Sequence, residues 1–323
     1  MRYLSDKNIK AINLNWKQNV VVITNAVQCI KTKEIAQPVK PYLRYGNPKN
    51  RIIAMPAYIG GDIKKSGIKW IASFPSNIEK GMARAHSVII LNEAETGRPI
   101  SVINSGSISA IRTASVSGFM IEKFLELNRK EKGIILGIIG FGPVGQYHLN
   151  MCAELLGAKL DKVLLYDVKG VSLNAIPDVI KNKVEEVNSW EEAYETADVF
   201  ITCTVSKDRY IDKQPKEGSL HLNVSLRDYK TDVFDFFKNA MIVDDWKEVC
   251  RENTDIEAFH IVNGLQESGV KSIQDILDNH LASLPKEQPI MFNPMGMAVF
   301  DMAIANHYLT LSEKSQIGMF LEE

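Results

Sequence analysis

The chain has 323 residues, of which 45% are hydrophobic and 24% are charged, so it carries enough apolar material for two packed domains. Lys and Arg number 38 against 39 Asp and Glu. This balance excludes a partner that is recognised by bulk charge, and we expect neither a nucleic-acid partner nor an anionic membrane surface.

Signals for targeting and for metal binding are absent from the sequence. The first seven residues, MRYLSDK, lack the apolar core of a secretion signal, and the longest apolar runs, such as residues 134–141, are too short to span a bilayer. The six histidines show no metal-ligand spacing, and the four cysteines form no C-x-x-C pair, which fits a reducing compartment. We therefore expect a cytoplasmic protein without a metal site. The cysteines are Cys29, Cys152, Cys203 and Cys250.

The first third of the chain changes from helical to β-rich patterning. Residues 1–36 carry apolar residues at helical spacing, and Ser5 and Asp6 suit the start of a helix. Short β-rich runs bounded by Gly, Pro and Asn follow, and the stretch 92–98 is typical of a hairpin loop. We therefore expect an antiparallel sheet module. Its predicted strands are 51–55, 67–71, 86–92 and 99–103.

The remainder of the chain alternates between strands and helices. Ser107 opens a helical run that reaches about Leu127, and apolar runs without polar alternation follow it. These runs predict an α/β fold with a Rossmann-type, doubly wound parallel sheet, in addition to the α+β module. We expect a final helix, residues 297–311, to pack back onto the first module. The predicted parallel strands are 134–139, 163–166, 199–202, 220–224 and 241–243.

A glycine-rich segment, GFGPVG at residues 140–145, directly follows the first parallel strand and directly precedes a helical run. The pattern G-x-G-x-x-G is weak evidence alone, but this position between a strand and a helix is typical of dinucleotide-binding folds. Gly140 permits the tight turn, Gly142 lets the backbone approach a pyrophosphate, and Gly145 allows close packing of helix on strand. Pro143 suits an early helical position.

The second parallel strand ends at Asp167, where a dinucleotide-binding fold carries the carboxylate that binds the adenosine ribose. A carboxylate at this position repels a 2′-phosphate, which favours NAD over NADP. The alternative is that Asp167 only caps the strand end, and the nearby Lys169 is a feature that would suit NADP.

Six short segments carry a likeness that extends across essentially the whole chain. They are GIKW at 67–70, IRTA at 111–114, the glycine-rich loop, TCT at 202–204, NVSLRD at 223–228 and MGMA at 295–298. Each match is short, but their order and spacing are specific, and together they resemble the ornithine cyclodeaminase and mu-crystallin family. The resemblance implies a homodimer in which the NAD-binding domain, residues 113–297, is inserted into a substrate-binding and dimerisation domain, residues 1–112 and 298–323.

The same resemblance implies roles for individual residues. Asp228 is the implied catalytic carboxylate, and Lys69 assists it. Arg44, Lys69 and Arg112 are expected to face the carboxylate of a small, amino-acid-derived substrate, with Lys40 as a further cation. Cofactor contacts are implied for Arg84, Arg112, Thr113, Gly140, Gly142, Pro143, Val144, Gly145, Asp167, Thr204, Asn223, Ser225 and Met295.

General chemistry supports these roles and also offers plainer alternatives. Arg presents a planar fork to carboxylates and the pKa of Lys falls readily on burial, but the commoner fate of either residue is a solvated surface charge. Asp228 follows a strand at its carboxyl end, where open α/β sheets bind ligands, yet Asp is also common in turns. Lys69, between Ile68 and Trp70 in a predicted strand, suggests that one face of that sheet is polar.

A narrower resemblance is to the branch of the family that oxidises N-(2-amino-2-carboxyethyl)-L-glutamate with NAD, giving 2-oxoglutarate and 2,3-diaminopropionate for siderophores or peptide antibiotics. Ornithine-converting relatives carry Glu where this chain has Ile53, and the segment after Asp228 is shorter here, so both departures argue against ornithine. The alternatives are ornithine cyclodeaminase, alanine dehydrogenase or ketimine reductase activity, or non-catalytic ligand binding as in mu-crystallin. The residues that carry the narrower resemblance are 37–44, 51–56, 59–61, 243–246 and 293–298.

Overall fold

The computed structural model describes residues 1–130 and 133–322. Contacts divide the chain into two compact units. Unit 1 comprises Met1–Arg112 and Met297–Glu323, and unit 2 comprises Thr113–Gly296. The boundary between them falls within the helix Ser107–Glu126. Across the part of the chain that is described, no helix combines the length and the apolar character that a membrane crossing requires.

Unit 1 is a mixed sheet packed against helices. Its strands are β1 (Arg2–Ser5), β2 (Ile35–Ala36), β3 (Tyr42–Leu43), β4 (Arg51–Ile59), β5 (Lys65–Ser73), β6 (Ala85–Glu93), β7 (Pro99–Asn104) and β16 (Met319–Phe320). Its helices are α1 (Asp6–Ala11), α2 (Trp16–Lys31), the start of α3 (Ser107–Glu126) and α9 (Ala298–Lys314). The strand order is β16-β1-β7-β6-β5-β4-β2, with β3 paired to β4. Helix α9 packs on β4, β5 and β6 and on α2.

The predicted strands of this module, its hairpin and the packing of the last helix are confirmed, and each strand extends beyond its predicted bounds. The prediction for residues 1–36 needs correction. Residues 2–5 form β1, which pairs in parallel with β7, and the helical stretch divides into α1 and α2. A four-residue strand depends on a partner about a hundred residues away, which local patterning does not reveal. Ser5 caps α1, as predicted, by accepting from Asn8 N at 3.3 Å.

The sheet face that carries Lys69 is covered. Lys69 is 1% exposed, whereas Trp70, which points to the opposite face, is 43% exposed. Helix α9 lies so close to the Lys69 face that a β-carbon at Gly67 would come within 2.8 Å of Met302 Sδ. The expected polar face is therefore wrong: α9 covers it, and the lysine must find charge partners inside the unit.

Unit 2 is a parallel sheet flanked by helices. Its strands are β8 (Ile134–Ile139), β9 (Leu160–Tyr166), β10 (Val184–Glu186), β11 (Val199–Thr202), β12 (Leu220–Asn223), β13 (Met241–Val243), β14 (Lys271–Ser272) and β15 (Ile290–Asn293). Its helices are the remainder of α3, then α4 (Pro143–Leu156), α5 (Trp190–Thr196), α6 (Phe234–Phe237), α7 (Trp246–Val249) and α8 (Asp255–Asn263). Within the described residues the order is β10-β9-β8-β11-β12-β15-β13-β14, and all of these pairings are parallel.

Short 3-10 helices connect several elements of both units. They span Pro75–Lys80, Gly157–Lys159, Leu173–Ala175, Asp178–Lys183, Thr231–Val233, Glu267–Gly269, Ile273–Asp278 and His280–Ser283.

The predicted doubly wound parallel sheet is confirmed. The chain places β9 and β10 on one side of β8 and β11 on the other, so the strand order reverses between β8 and β11. Open α/β sheets bind ligands at the carboxyl ends of the strands at such a reversal. The sequence prediction did not include β10, β14 and β15. β15 is fully buried between β12 and β13.

The loop between β8 and α4 is tightly packed at two of its glycines. Gly140 has a φ of +85°, and a β-carbon there would lie 2.5 Å from the carbonyl oxygen of Cys203, just beyond β11. A β-carbon at Gly145 would lie 2.1 Å from the Gly140 carbonyl oxygen, whereas one at Gly142 would meet nothing within 4 Å. The predicted turn at Gly140 and close packing at Gly145 are therefore confirmed, and Pro143 is the first residue of α4.

Replacing Gly145 by Ala is expected to lower the free energy of unfolding by about 1–3 kcal/mol, because the new methyl group overlaps the Gly140 carbonyl and α4 must shift. Gly142→Ala is the matched control, and it is expected to cost less than about 1 kcal/mol, because only a glycine N-cap is lost. Urea denaturation followed by circular dichroism measures both values. Equal stability of the two variants would contradict this description of the loop.

Candidate active site

A cluster of charged side chains is buried in unit 1 beneath helix α9. Lys69 Nζ lies 3.0 Å from Asp301 Oδ1 and 2.7 Å from Ser109 Oγ. Arg112 Nε donates to the same Asp301 oxygen at 2.8 Å. The side chains of Lys69 and Asp301 are 1% and 0% exposed, and that of Arg112 is 9% exposed. One carboxylate oxygen therefore holds two cations.

Three separate elements supply this cluster. Lys69 is the central residue of β5. Ser109 and Arg112 are three residues apart on α3, so they share one face of that helix. Asp301 lies in the first turn of α9, where the helix dipole favours a carboxylate.

The start of α3 is fixed by an acid from the N-terminal segment. Asp6 Oδ1 accepts hydrogen bonds from Ser105 Oγ at 2.5 Å and from Ser107 N at 3.1 Å. Burial alone would raise the pKa of Asp6, but hydrogen bonds from Lys10, Ser105 and Ser107 hold that pKa well below its usual range. Asp6 is therefore ionised at neutral pH, and it anchors the helix that carries Ser109 and Arg112.

Burial determines the charge states within the Lys69 cluster. Loss of hydration lowers the pKa of Lys69 to about 8, although the carboxylate of Asp301 acts in the opposite direction. Burial also acts to raise the pKa of Asp301, but Arg112 and Lys69 outweigh it and hold that pKa below its usual value. Arg112 and Lys40, of which Lys40 is 4% exposed, also act to lower the pKa of Lys69, and the value of about 8 includes both effects. At neutral pH the two cations Lys69 and Arg112 therefore share one carboxylate.

Arg44 and Arg84, two further predicted substrate and cofactor cations of unit 1, have contacts with an aromatic ring and with the backbone. Arg44 is exposed, and its guanidinium carbon lies 5.3 Å from the ring centre of Tyr42. Arg51, which sequence analysis did not select, lies 5.6 Å from the same ring. Arg84 is half-buried, and its carbonyl accepts from Phe74 N at 2.8 Å.

In unit 2 the carboxylate of Asp228 is completely buried just beyond the carboxyl end of β12. Its two oxygens accept hydrogen bonds from the hydroxyl groups of Thr204 and Ser225, one each. The Asp228 carbonyl accepts from the backbone amides of Tyr210 at 2.9 Å and Ile211 at 2.8 Å. The fold therefore brings together three residues that the sequence had singled out, at the edge of the sheet where ligands bind.

Asp255 holds the segment that carries Asp228. Its Oδ2 atom accepts from the backbone amides of Asp228 at 3.0 Å and Tyr229 at 3.2 Å and from Asn223 Nδ2 at 3.0 Å. Its Oδ1 atom accepts from Arg209 Nε at 2.7 Å. Burial raises the pKa of Asp255, although Asn223 and Arg209 act to lower it. The backbone of Asp228 is thus positioned by a buried carboxyl group 27 residues further along the chain.

The side chain of Asn223 is fully engaged within the protein. Its Nδ2 atom donates to Asp255 at 3.0 Å and to Asn293 Oδ1 at 2.8 Å, and its Oδ1 atom accepts from Thr202 Oγ1 at 3.1 Å and Leu226 N at 3.0 Å. These bonds use both donors and both acceptor positions of the amide. Asn223 joins the ends of β11, β12 and β15 through these bonds, and its expected cofactor contact stays a prediction.

Asp167 lies just beyond β9 beside the glycine-rich loop. Its Oδ2 atom accepts from Phe141 N at 2.7 Å and its Oδ1 atom accepts from Lys169 N at 2.8 Å. Asp167 caps the strand end through these two bonds, and its expected contact with the ribose stays a prediction. Each carboxylate oxygen has a second acceptor position, which a ribose hydroxyl can use.

A buried histidine supports the start of α4. His148 Nδ1 lies 2.8 Å from the carbonyl oxygen of Val144, and His148 Nε2 lies 2.9 Å from Ser117 Oγ on α3. Burial lowers the pKa of His148 to about 4, so the ring is neutral at neutral pH.

The carboxylate of Asp244 holds the turn after β15, because it accepts hydrogen bonds from Met295 N at 3.0 Å and from Gly296 N at 2.6 Å.

Sequence analysis missed Asp301, Ser109, Asp255 and Asp244. A signal for Asp301 exists, since it is an acid within an otherwise apolar helical run directly after the MGMA segment. Asp255 follows the N-cap Thr254 and has the pattern of any first-turn acid, so no local feature distinguishes it. Within residues 1–130 and 133–322, no three His, Cys, Asp or Glu side chains are grouped so that they could hold a metal ion.

A sequence profile of the ornithine cyclodeaminase/mu-crystallin family matches residues 8–312. The chain belongs to this family. N-((2S)-2-amino-2-carboxyethyl)-L-glutamate dehydrogenase of Staphylococcus aureus is 32% identical to it over 99% of this chain and 98% of that protein. The family resemblance seen in the sequence is confirmed.

Two solved structures share the fold. Δ1-pyrroline-2-carboxylate reductase of Thermococcus litoralis, in complex with NADH and L-proline, has a TM-score of 0.88 at 20% identity and covers 99% of this chain and 100% of its own. An archaeal alanine dehydrogenase dimer with bound NAD has a TM-score of 0.82 at 19% identity and covers 100% of this chain and 99% of its own. The predicted fold class is confirmed by these likenesses.

Asp255→Asn is expected to lower the free energy of unfolding by about 3 kcal/mol, because an amide cannot accept all four hydrogen bonds and the Arg209 charge loses its partner. Asp212→Asn is the matched control, since Asp212 forms an exposed ion pair with Lys230 at 2.6 Å, and its stability should match that of the wild type. Chemical denaturation of the three proteins measures the difference. If Asp255→Asn is as stable as the control, the described network does not hold the Asp228 segment.

Proposed function

We propose that the protein is an NAD-dependent dehydrogenase that cleaves N-(2-amino-2-carboxyethyl)-L-glutamate to 2,3-diaminopropionate and 2-oxoglutarate, supplying the former to siderophore or peptide-antibiotic biosynthesis. The observation that carries the proposal is the buried excess of positive charge in unit 1, where Lys69 and Arg112 share one carboxylate oxygen of Asp301. The relative from Staphylococcus aureus that is named for this substrate supports the choice.

The charge excess favours a ligand with several carboxylates. Buried cations without matching counter-charge are costly, because hydration is lost and little attraction offsets it. A bound carboxylate offsets that cost, and it suits the planar fork of Arg112, whose Nε is directed at Asp301 while the two Nη groups lie at the other end. The proposed substrate carries three carboxylates, whereas alanine and proline carry one. Two buried cations that share one carboxylate oxygen therefore match it better than they match the smaller amino acids.

The residues at the strand-order reversal of unit 2 fit NAD. A β-carbon at Gly142 would meet nothing within 4 Å, so the backbone at the start of α4 is open to a pyrophosphate. The carboxylate of Asp167 favours NAD over NADP. When bound, NAD accepts a hydride from the α-carbon of the glutamate portion of the substrate. Further contacts are proposed from Pro143, Val144, Thr204, Ser225 and Met295.

Asp228 is proposed as the base of the reaction. The secondary amine of the substrate must be unprotonated before hydride leaves the neighbouring carbon, since the nitrogen lone pair forms the new carbon–nitrogen double bond. The Asp228 carboxylate, oriented by the hydroxyl groups of Thr204 and Ser225, accepts the amine proton. Lys69, whose pKa is about 8, exchanges a proton with the water that adds to the double bond. Breakage of the carbon–nitrogen bond then gives 2-oxoglutarate and 2,3-diaminopropionate.

Ile53 bears on the choice between this substrate and ornithine. It lies on β4, paired with Tyr42 and Ile71, and it is half-buried. An apolar side chain at this position provides no counter-charge for the side-chain ammonium of ornithine. This observation supports the proposed substrate over the cyclodeaminase reaction.

We propose that unit 1 binds the substrate and forms a homodimer and that unit 2 binds NAD. The sheet face opposite Lys69 carries Trp70 and Tyr58, which are 43% and 36% exposed and lie on neighbouring strands. Large apolar side chains exposed on one face are typical of an interface. The archaeal alanine dehydrogenase, which was solved as a dimer, supports this assignment.

A substrate panel tests the proposed function. The protein is incubated with NAD and, in separate reactions, with N-(2-amino-2-carboxyethyl)-L-glutamate, L-alanine, L-proline or L-ornithine. We expect NADH, 2,3-diaminopropionate and 2-oxoglutarate to form in equal amounts in the first reaction and no NADH in the others. Absorbance measures NADH, and chromatography with amine derivatisation measures the products.

Three outcomes of the panel would contradict the proposal. Ammonia release from ornithine without net NADH would indicate a cyclodeaminase. NADH formation with alanine or proline alone would indicate a sibling dehydrogenase. Saturable binding of an amino acid without turnover of any compound would indicate a non-catalytic binding protein.

Asp228→Asn is expected to lower kcat by about a hundredfold or more while NAD affinity is unchanged, because Asn keeps the shape of the carboxylate but cannot accept a proton. Rates of NADH formation and calorimetric titration with NAD measure the two quantities. Asp235→Asn, at an exposed ion pair with Lys238, is the control and should keep wild-type turnover. Near-wild-type turnover of Asp228→Asn would reduce Asp228 to a turn residue and transfer the role of base to Lys69.

A further inference from the structure

We propose that Asp301 is a positioning residue that orients the Lys69 amine and the Arg112 guanidinium for substrate binding and proton transfer. The inference rests on the proposed function, because it assigns a partner to residues of the same site. Its basis is the sharing of one oxygen, Asp301 Oδ1, which lies 3.0 Å from Lys69 Nζ and 2.8 Å from Arg112 Nε. Asp301 touches no substrate atom in this proposal, and it acts through the two cations.

The Lys69 amine has three positions at Nζ, each of which holds a proton or a lone pair. Two of these positions face the hydrogen-bond partners Asp301 Oδ1 and Ser109 Oγ. The third position carries a proton in the ammonium form and a lone pair in the neutral amine. Lys69 can therefore release or accept a proton at this third position without losing either hydrogen bond. Proton exchange is thereby confined to one direction.

The same carboxylate oxygen orients Arg112. The guanidinium group is planar and rigid, so a hydrogen bond at Nε determines the direction of the two Nη groups. Those groups form the end of the fork that pairs with a carboxylate through two parallel hydrogen bonds. Since one oxygen binds both cations, Asp301 also sets the spacing between Lys69 and Arg112.

A purely structural role for Asp301 fits the geometry less well. An acid in the first turn of a helix commonly caps that helix, but α9 has no side-chain hydrogen bond at its N-cap. The second oxygen, Oδ2, is buried and has no hydrogen-bond partner within the part of the chain that the structure describes. A buried oxygen without a partner is costly. The bonds that Asp301 does form are to the two cations.

Asp301 also controls the charge of Lys69. The charged groups that face Lys69 are Arg112 from α3, Lys40 from the segment before β3, and Asp301 from α9. Burial lowers the pKa of Lys69, the two cations lower it further, and Asp301 raises it, with a resulting value of about 8. Loss of the carboxylate would remove the opposing charge, and the neutral amine would then form at a lower pH.

The test measures the titration of Lys69 in the full-length protein. Lysine labelled with carbon-13 is incorporated, and NMR follows the Cε resonance of Lys69, which is assigned by its absence in Lys69→Arg. Asp301→Asn is compared with Asp198→Asn, a matched control, because Asp198 also lies between two lysines, Lys130 at 2.6 Å and Lys216 at 2.5 Å, but in unit 2. The measurement needs no substrate, so it does not depend on the proposed reaction.

We expect a Lys69 midpoint near pH 8 in the wild type and in Asp198→Asn. In Asp301→Asn the midpoint should fall by about one unit or more, which is the usual effect of an opposite charge at contact distance. The pH at which kcat changes because Lys69 loses its proton should fall by the same amount. With the proposed substrate, kcat should also fall by roughly tenfold or more, because the two cations lose their orientation, while the KM for NAD is unchanged.

Ser109→Ala is the second variant, since it removes a partner of Nζ without a change of charge. It should keep the Lys69 midpoint within about half a unit and lower kcat by roughly tenfold. A wild-type midpoint of the Lys69 titration in Asp301→Asn would overturn the proposal. If Asp301→Asn does not fold, wild-type turnover in Ser109→Ala would overturn it. A lowered midpoint in a protein that oxidises none of the tested amines would support the role of Asp301 and contradict only the proposed function.

Discussion

One carboxylate oxygen in unit 1 holds two buried cations, and the surrounding strands and helices depend on that contact. Lys69 occupies the covered face of β5, where an ammonium without hydration or counter-charge costs several kcal/mol. Asp301 supplies the counter-charge from a helix 232 residues further along the chain. The ion pair therefore joins the N-terminal strands to the C-terminal helix, and unit 1 is built from both ends of the sequence.

Unit 2 also uses a buried carboxyl group, but for a different purpose. Asp255 binds the backbone amides of Asp228 and Tyr229 and the side chain of Asn223, so it holds a loop in place. In both units the residue proposed to act on the substrate is oriented by a partner that lies far away in sequence. Such groups are preorganised, because their positions do not have to be established during the reaction.

Membership of the ornithine cyclodeaminase/mu-crystallin family settles the fold and leaves the substrate open. Relatives named for alanine, for Δ1-pyrroline-2-carboxylate and for N-((2S)-2-amino-2-carboxyethyl)-L-glutamate share it. A fold does not determine a reaction, so the choice depends on individual side chains. In this chain the features that bear on the choice are the apolar Ile53 and the two buried cations, Lys69 and Arg112, that share one oxygen of Asp301.

The sequence by itself determined the fold class, the glycine-rich loop and the place of Asp167, because each depends on neighbours within a few residues. It also selected Lys69, Arg112 and Asp228, through motifs whose order is specific to the family. Only the tertiary structure decided which partners these residues have. Asp301 is joined to Lys69 by α9 packing on β5, and the amide of Asn223 is engaged by Asp255 and Asn293. Hydrogen bonds and ion pairs between distant segments leave no local pattern, since they arise when the strands and helices pack together.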